Sequence, residues 1–214
     1  MEIIYLGHAC FKLKGKNASV IADPYGEGIG LKLGKVEADI VTVSHNHDDH
    51  NNAKAVKEAR MVIDQPGEYE LSGISIIGID SYHDEKEGEE RGRNIIFVFE
   101  IDGVRIAHLG DLGHKLGDKI TQAMGNIDIL LIPVGGDYTI GPSKALEIVR
   151  VIDPYIIVPM HYKSSGLDEK IFGKLEPVET FLKESGVKVE NAQKLQVKKE
   201  TLEEEQKIVV LEKR

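Results

Sequence analysis

The sequence predicts a mixed α/β (α+β) chain. Its element order fits two facing sheets with helices outside, a four-layer αββα sandwich, which periodicity alone leaves as one of several layered arrangements. Three observations point there. Short β-branched runs bounded by turn residues recur along the chain, each half begins with strands, and each half continues as strand-helix alternation. With 214 residues the chain can bury one sizeable core, so a single domain over 1–214 is expected.

Taken in order, Glu2 to Leu6, Ala9 to Leu13 and Ser19 to Ala22 read as an antiparallel meander, with Gly15-Lys16-Asn17 as a turn. Asp23-Pro24 ends the third strand. The glycine-rich stretch Gly26 to Gly30 then reads either as a linker or as a loop at the mouth of a site. Asp39 to Ser44 is a buried strand pattern, and Asn51 to Ala59 reads as a helix with Asn at its cap. Met61 to Asp64, Tyr69 to Leu71 and Ile74 to Ile79 continue as strands, and Glu68 before them reads as a turn residue. Asp84 to Arg93 is strongly charged without apolar period, either a solvated hairpin loop or a mobile flap. Asn94 to Ile101 and Val104 to His108 form a hairpin across Asp102-Gly103.

Beyond it, helices are expected over Lys119 to Met124, over Ser143 to Ile152 with a Ser cap, and over Pro177 to Ser185 up to Gly186. Strands are expected over Ile127 to Val134 and Tyr155 to Val158. Val187 to Glu190, Leu195 to Lys198 and Ile208 to Leu211 are expected as edge strands that either close a sheet or support a homo-oligomer.

Composition narrows the function classes. Hydrophobic content of 41% and charged content of 29% describe a soluble globular protein. No apolar run reaches membrane-spanning length, and Met1 to Tyr5 enters a strand pattern directly, so a cytoplasmic protein without a membrane partner is expected. The single cysteine, Cys10, excludes an internal disulfide and reads as a small buried hydrophobe. A net charge of −9 disfavours broad nucleic-acid contact, although much of the acid sits in Glu85 to Glu90 and Glu203 to Glu205.

The chemistry concentrates in His45-Asn46-His47-Asp48-Asp49-His50, between the Asp39 to Ser44 strand and the segment after it. His45 and His47, two apart in an extended loop, can reach one cation. Asp49 and His50 follow as the chain turns and can serve a second. Imidazole and carboxylate without thiolate suit zinc, manganese, iron or nickel. One loop cannot complete two metal shells, so further ligands are expected from strand ends, with His83, His108, His114 and His161 as candidate imidazoles and Asp111, between Gly110 and Gly113, as the extra carboxylate.

The HxHxDH string after a buried strand resembles the metallo-β-lactamase superfamily. Tyr5 to Phe11, Ala22-Asp23-Pro24, Pro66 to Glu70, Gly110 to Gly113 and Pro159 to Tyr162 further resemble its branch of ascorbate-6-phosphate lactonase-like metal-dependent hydrolases. The resemblance runs from residue 1 to about Lys163 and implies the αββα sandwich. It also implies two divalent metals, zinc first, with His45, His47 and His83 on one, Asp49, His50 and His161 on the other, and Asp111 bridging. The expected chemistry is hydrolysis by a bridging hydroxide. Asp49 would orient the water and accept its proton, while His8 would act on the leaving group or support the site from behind. Asp23 and His108 are expected behind the ligands.

Arg91, Arg93 and Lys163 are expected near the mouth, where they could pair with substrate phosphate. The expected substrate is a small polar ester, lactone or phosphate ester. A nuclease of the same superfamily, a non-catalytic metal-binding protein and a two-iron redox member are the rival readings.

Overall fold

The computed structural model describes residues 1–203 and 205–214, so Glu204 of the acidic run lies outside the described residues. The first half contains β1 (Glu2–Gly7), β2 (Cys10–Lys14), β3 (Ser19–Ala22), β4 (Val36–Glu37), β5 (Ile40–Thr42), β6 (Val56–Lys57), β7 (Met61–Ile63), β8 (Gly67–Leu71) and β9 (Ile74–Tyr82). After them come β10 (Arg93–Ile101), β11 (Val104–His108), α1 (Asp118–Met124), β12 (Ile129–Pro133), α2 (Pro142–Ile152) and β13 (Ile156–Met160). The chain ends with α3 (Glu169–Phe172), α4 (Val178–Ser185), β14 (Lys188–Ala192), β15 (Leu195–Gln196) and β16 (Lys207–Leu211).

Two sheets face each other. One has the order β15-β1-β2-β3-β5-β7 and the other β14-β16-β13-β12-β11-β10-β9-β8, with β4 and β6 as a separate pair. The C-terminal strands divide between them: β15 is an edge beside β1 and β14 an edge of the larger sheet, whereas β16, expected as an edge strand, lies inside that sheet between β14 and β13, which pair with it on both sides.

The inner faces meet in one apolar core, with Phe11, Leu13, Val20 and Ile40 on one side and Phe97, Phe99, Ile106 and Leu131 on the other. β10 is buried on both faces, Phe97 pointing inward and Ile96 and Val98 outward, so its sequence is a near-continuous apolar run. The outer face of the larger sheet is covered by α1, α2 and α4 through Met124, Ala145, Ile148, Val149 and Phe181. The other outer face is covered differently. Tyr25, Ile29, Leu31, Leu167 and Phe172, from loops, a 3-10 turn and the short α3, pack over Ile4, Ile21 and Val41. Cys10 is fully buried there. No helix among the described residues is long and apolar enough to cross a membrane.

Several local expectations are corrected. Asn51 to Ala59 is not a helix but a 3-10 turn over Ala53–Ala55 followed by β6. Only Val56 is buried in that stretch, so a helix would have no stripe to bury. Asn52 instead donates its backbone N–H to Pro24 O at 2.8 Å and its side-chain amide to Tyr25 O at 3.1 Å. Ser143 does not cap α2: Gly141 holds the cap position and Pro142 starts the helix, where its missing N–H costs nothing. Glu68 is an exposed residue of β8 rather than a turn residue.

The charged stretch after β9 is tied down. The Asp84 carboxylate accepts backbone N–H groups from Lys86, Gly88, Glu90 and Arg91 at 2.7–3.1 Å. Burial pushes its pKa up, but these four donors outweigh that and bring it to about 2. At the Asp102-Gly103 hairpin both residues have positive φ, 53° and 79°, as a two-residue turn of this hand requires.

Strand direction creates one functional rim. β3, β5 and β7 run parallel to one another, as do β11, β12 and β13, and β9 shares the direction of β11 because both are antiparallel to β10. The segments holding Asp23, His45 to His50, His83, Asp111 and His161 therefore all leave the sheets at C-terminal strand ends. Two glycines let these segments approach each other. A Cβ on Gly113 would lie 2.3 Å from the carbonyl oxygen of His83, and one on Gly135 would lie 2.2 Å from that of His161. Gly135→Ala is therefore expected to cost about 1–3 kcal/mol by overpacking. Urea denaturation checks this; an unchanged midpoint would mean that the rim around His161 yields freely.

Candidate metal centre

The rim residues converge on Asp111, whose backbone N–H donates to Asn94 Oδ1 at 2.9 Å. Its Oδ2 lies 3.2 Å from His83 Nε2, 3.2 Å from His161 Nε2 and 3.8 Å from His45 Nε2, while Oδ1 lies 3.2 Å from His50 Nε2. His8 Nε2 meets Asp49 Oδ2 at 3.0 Å, and His50 Nε2 lies 3.6 Å from the same oxygen. The ligand atoms of His45, His47 and His83 fall within 4.8 Å of one another, as do those of His8, Asp49, His50 and His161 and those of His45, His50 and Asp111. All seven ligand candidates are thus brought together, and His8 stands with the second set.

Hydrogen bonds behind the ring nitrogens select the tautomers. Asp23 Oδ2 accepts from Ser44 Oγ at 2.6 Å and lies 2.8 Å from His50 Nδ1. Ser44 Oγ, its proton committed to Asp23, lies 2.9 Å from His45 Nδ1. Both rings then donate Nδ1–H outward and turn Nε2 towards the centre. Nε2 of His45, His50 and His161 and Oδ1 of Asp111 are buried without a hydrogen-bond partner. Unpaired buried nitrogens around a buried carboxylate would be costly alone, and this donor set of imidazoles and carboxylates fits divalent cations.

The charge balance of the protein alone is lopsided. Burial is the main cause that lowers the His45 pKa to about 3 and that of His8 to about 4, with the neighbouring histidines His50 and His161 adding to it. The more exposed His47 is also lowered, first by burial. Burial opposes charge on His50 too, but Asp111 and Asp49 outweigh it and hold that ring well above its ordinary value. Burial pushes Asp111 up, while His161 and His50 pull it well below the carboxylate range. His50 and His8 likewise lower Asp49.

Three site residues carry left-handed backbone: His8 (φ 56°), Asp23 (φ 48°) and His161 (φ 51°), with His161 N–H donating to His8 O at 2.9 Å. This costs about 1–3 kcal/mol each and persists where surrounding structure imposes it.

The remaining candidates separate. His108 is buried, with Nε2 2.8 Å from Ala9 O and Nδ1 accepting from Gly110 N–H at 3.1 Å, 4.0 Å from Asp23. It thus braces the backbone behind the site. A cavity of about 320 Å³ opens over the centre, lined by His47, Asp49, His83 and Asp111 together with Ile29, Tyr138, Phe172 and Arg91. The glycine-rich Gly26 to Gly30 stretch is therefore a mouth loop, not a linker: Gly28 and Ile29 line the cavity and Gly26 N–H donates to Asp48 O at 2.8 Å. Arg93 and Lys163 are not in this lining. Arg93 is exposed and lines an adjoining depression that shares His47 and Arg91 with the cavity, and Lys163 pairs with Glu169 at 3.1 Å and donates to Gly173 O at 3.1 Å.

Sequence reasoning missed Ser44, Asn94, Tyr138 and Phe172. The signal for the first two was a polar residue bordering an apolar strand, and Asn94 donates to Ser81 Oγ at 2.8 Å and Leu109 O at 3.0 Å. Tyr138 and Phe172 carried none, since one sits in a turn and the other in the four-residue α3.

Comparison with known proteins adds independent findings. Residues 2–161 match the model of the beta-lactamase superfamily domain. A metal-dependent hydrolase of Pelotomaculum thermopropionicum is 32% identical over 202 residues, covering 79% of this chain and 88% of that protein. One from Thermococcus onnurineus is 30% identical over 193 residues, covering 77% of this chain and 85% of that protein. A crystal structure from Thermotoga maritima, assigned as a Zn-dependent hydrolase of the metallo-beta-lactamase superfamily, superposes with a TM-score of 0.79 at 38% identity, covering 98% and 97% of the two chains.

Asp23→Ala leaves every ligand candidate in place but removes the acceptor behind His50 and Ser44. It is expected to weaken metal affinity about 10–100-fold. Competition with a chelator reads this; wild-type affinity in the variant would refute the orienting role of Asp23.

Proposed function

From the premise that this chain belongs to the metallo-β-lactamase superfamily as a metal-dependent hydrolase, we propose that it hydrolyses a small ester, lactone or phosphate ester at a two-metal centre. The observation that carries the reading is the convergence of eight imidazole and carboxylate side chains into three sets with ligand atoms within 4.8 Å of one another. His45, His47 and His83 would hold one cation, Asp49, His50 and His161 the other, and Asp111 would serve both. Zinc suits these donors first; manganese, iron and nickel also do. When bound, such a pair supplies Lewis acidity to the oxygen under attack and lowers the pKa of water towards neutrality.

The chain's own groups manage position and protons. Asp49, half-buried beside the cavity, accepts the proton of the attacking water and returns it to the leaving oxygen. His8 is neutral near pH 7, since burial brings it to about 4. It donates Nε2–H to Asp49 Oδ2 and fixes that carboxylate. Phe172 packs against both His8 and His161, with ring centroids 4.9 and 6.4 Å away, and excludes water from that side. The motifs resembling lactonase-like hydrolases put lactones first among substrates to screen.

His47→Ala and Asp111→Ala are each expected to lose metal by elemental analysis and to lower hydrolysis across a panel of lactones, esters and phosphodiesters at least about 10²-fold. Wild-type turnover in a metal-free His47→Ala protein would overturn the reading.

A further inference from the structure

The cavity over the centre has one apolar wall and a single Arg or Lys side chain. Ile29, Tyr138, Ile171 and Phe172 make one side apolar, and Ile171 remains 44% exposed at the mouth although it is a large aliphatic residue. It is the contiguous wall of these four residues, not the exposure of one, that suits an apolar part of a ligand. At about 320 Å³ the space admits a small molecule.

The basic residue in the lining is Arg91, and it is held ready. Its guanidinium carbon lies 4.9 Å from the centroid of the Tyr138 ring, and Nη2 donates to Asp137 O at 3.4 Å. Its backbone N–H is fixed by Asp84 at 2.7 Å. Tyr138 is itself anchored, donating its hydroxyl to Ile171 O at 2.7 Å, so the cation and the apolar wall form one unit. No carboxylate within 4.0 Å neutralises Arg91 among the described residues. Against this one positive charge, exposed Asp48 lines the same cavity. A carboxylate in the same lining opposes a second negative charge there more than a first.

We propose that Arg91 is a specificity-determining residue and that the substrate class is a small carboxylic ester or lactone with an apolar body and one negative charge, in preference to a phosphate dianion. The inference rests on the hydrolase reading for its reacting centre, and Arg91 takes the charge remote from that centre by a charge-assisted hydrogen bond.

Three compounds sharing a nitrophenyl group test it on the metal-loaded full chain: 4-nitrophenyl hydrogen glutarate with one charge, neutral 4-nitrophenyl butyrate, and dianionic 4-nitrophenyl phosphate. The expected order of kcat/KM puts the glutarate first. In Arg91→Gln the glutarate-to-butyrate ratio is expected to fall about tenfold, through KM rather than kcat. Tyr138→Leu, which keeps the charge but removes its platform, is expected to lower the ratio less.

Preference for the phosphate, or an equal ratio in wild type and Arg91→Gln, would overturn the proposal while leaving the hydrolase reading intact. Failure on every compound would count against that reading instead. Calorimetric binding of the corresponding 4-nitroanilides of glutarate and butyrate then decides this one by itself. Tighter binding of the charged anilide, lost in Arg91→Gln, supports it, and equal binding refutes it.

Discussion

The buried carboxylate of Asp111 sets the terms for everything around it. Four imidazole nitrogens lie within 3.8 Å of its oxygens, and both it and His161 are almost wholly withdrawn from water. Such a gathering lowers the stability of the folded protein by itself, since burying ionisable groups costs several kcal/mol unless they are paired. It persists because two stiff sheets deliver the groups from separate directions and because a cation there would satisfy the unpaired nitrogens. The inter-sheet core around Phe11, Phe97 and Phe99 is the counterweight.

Behind the centre lies a bracing network of short, buried contacts. Asp23 binds Ser44 and faces His50, while Asn94 ties Ser81, Leu109 and Asp111 together. Ile95 N–H to Ser44 O, at 2.8 Å, joins β10 of the larger sheet to the ligand loop that follows β5 of the smaller one. This seam makes ligand geometry depend on how the two sheets dock. A substitution there acts on the centre without touching a ligand.

Around the mouth the construction changes from polar to apolar. α3 and the Gly26 to Gly30 loop close on each other, with Asp168 N–H donating to Ile29 O at 2.9 Å. Gly30 leaves room for this, since a Cβ there would lie 2.5 Å from Gly166 O. The outer layer over the smaller sheet is therefore also the wall of the cavity. That explains why it is built from loops and a short helix rather than a long one: loops bring Ile29, Phe172 and Tyr138 to one edge.

The residues themselves determined the ligand loop, the strand before it and the strand ends carrying His83, Asp111 and His161, because alternation and donor spacing are local properties of the chain. The meander, the Asp102-Gly103 hairpin and the burial of Cys10 were legible for the same reason. Tertiary structure decided what depends on distant partners. Asn51 to Ala59 had residues tolerable in a helix, but Pro24 and Tyr25 offered the backbone and side chain of Asn52, and Val36 offered Val56, better contacts than an isolated turn could. The charged stretch from Asp84 to Arg93 had no apolar period, yet one carboxylate folded it and aimed Arg91 at the cavity. The pairing of Asn94 with Asp111 follows from the β10–β11 hairpin, whereas the meeting of Arg91, Tyr138 and Phe172 joins residues far apart in the chain that only the folded layers bring to one edge.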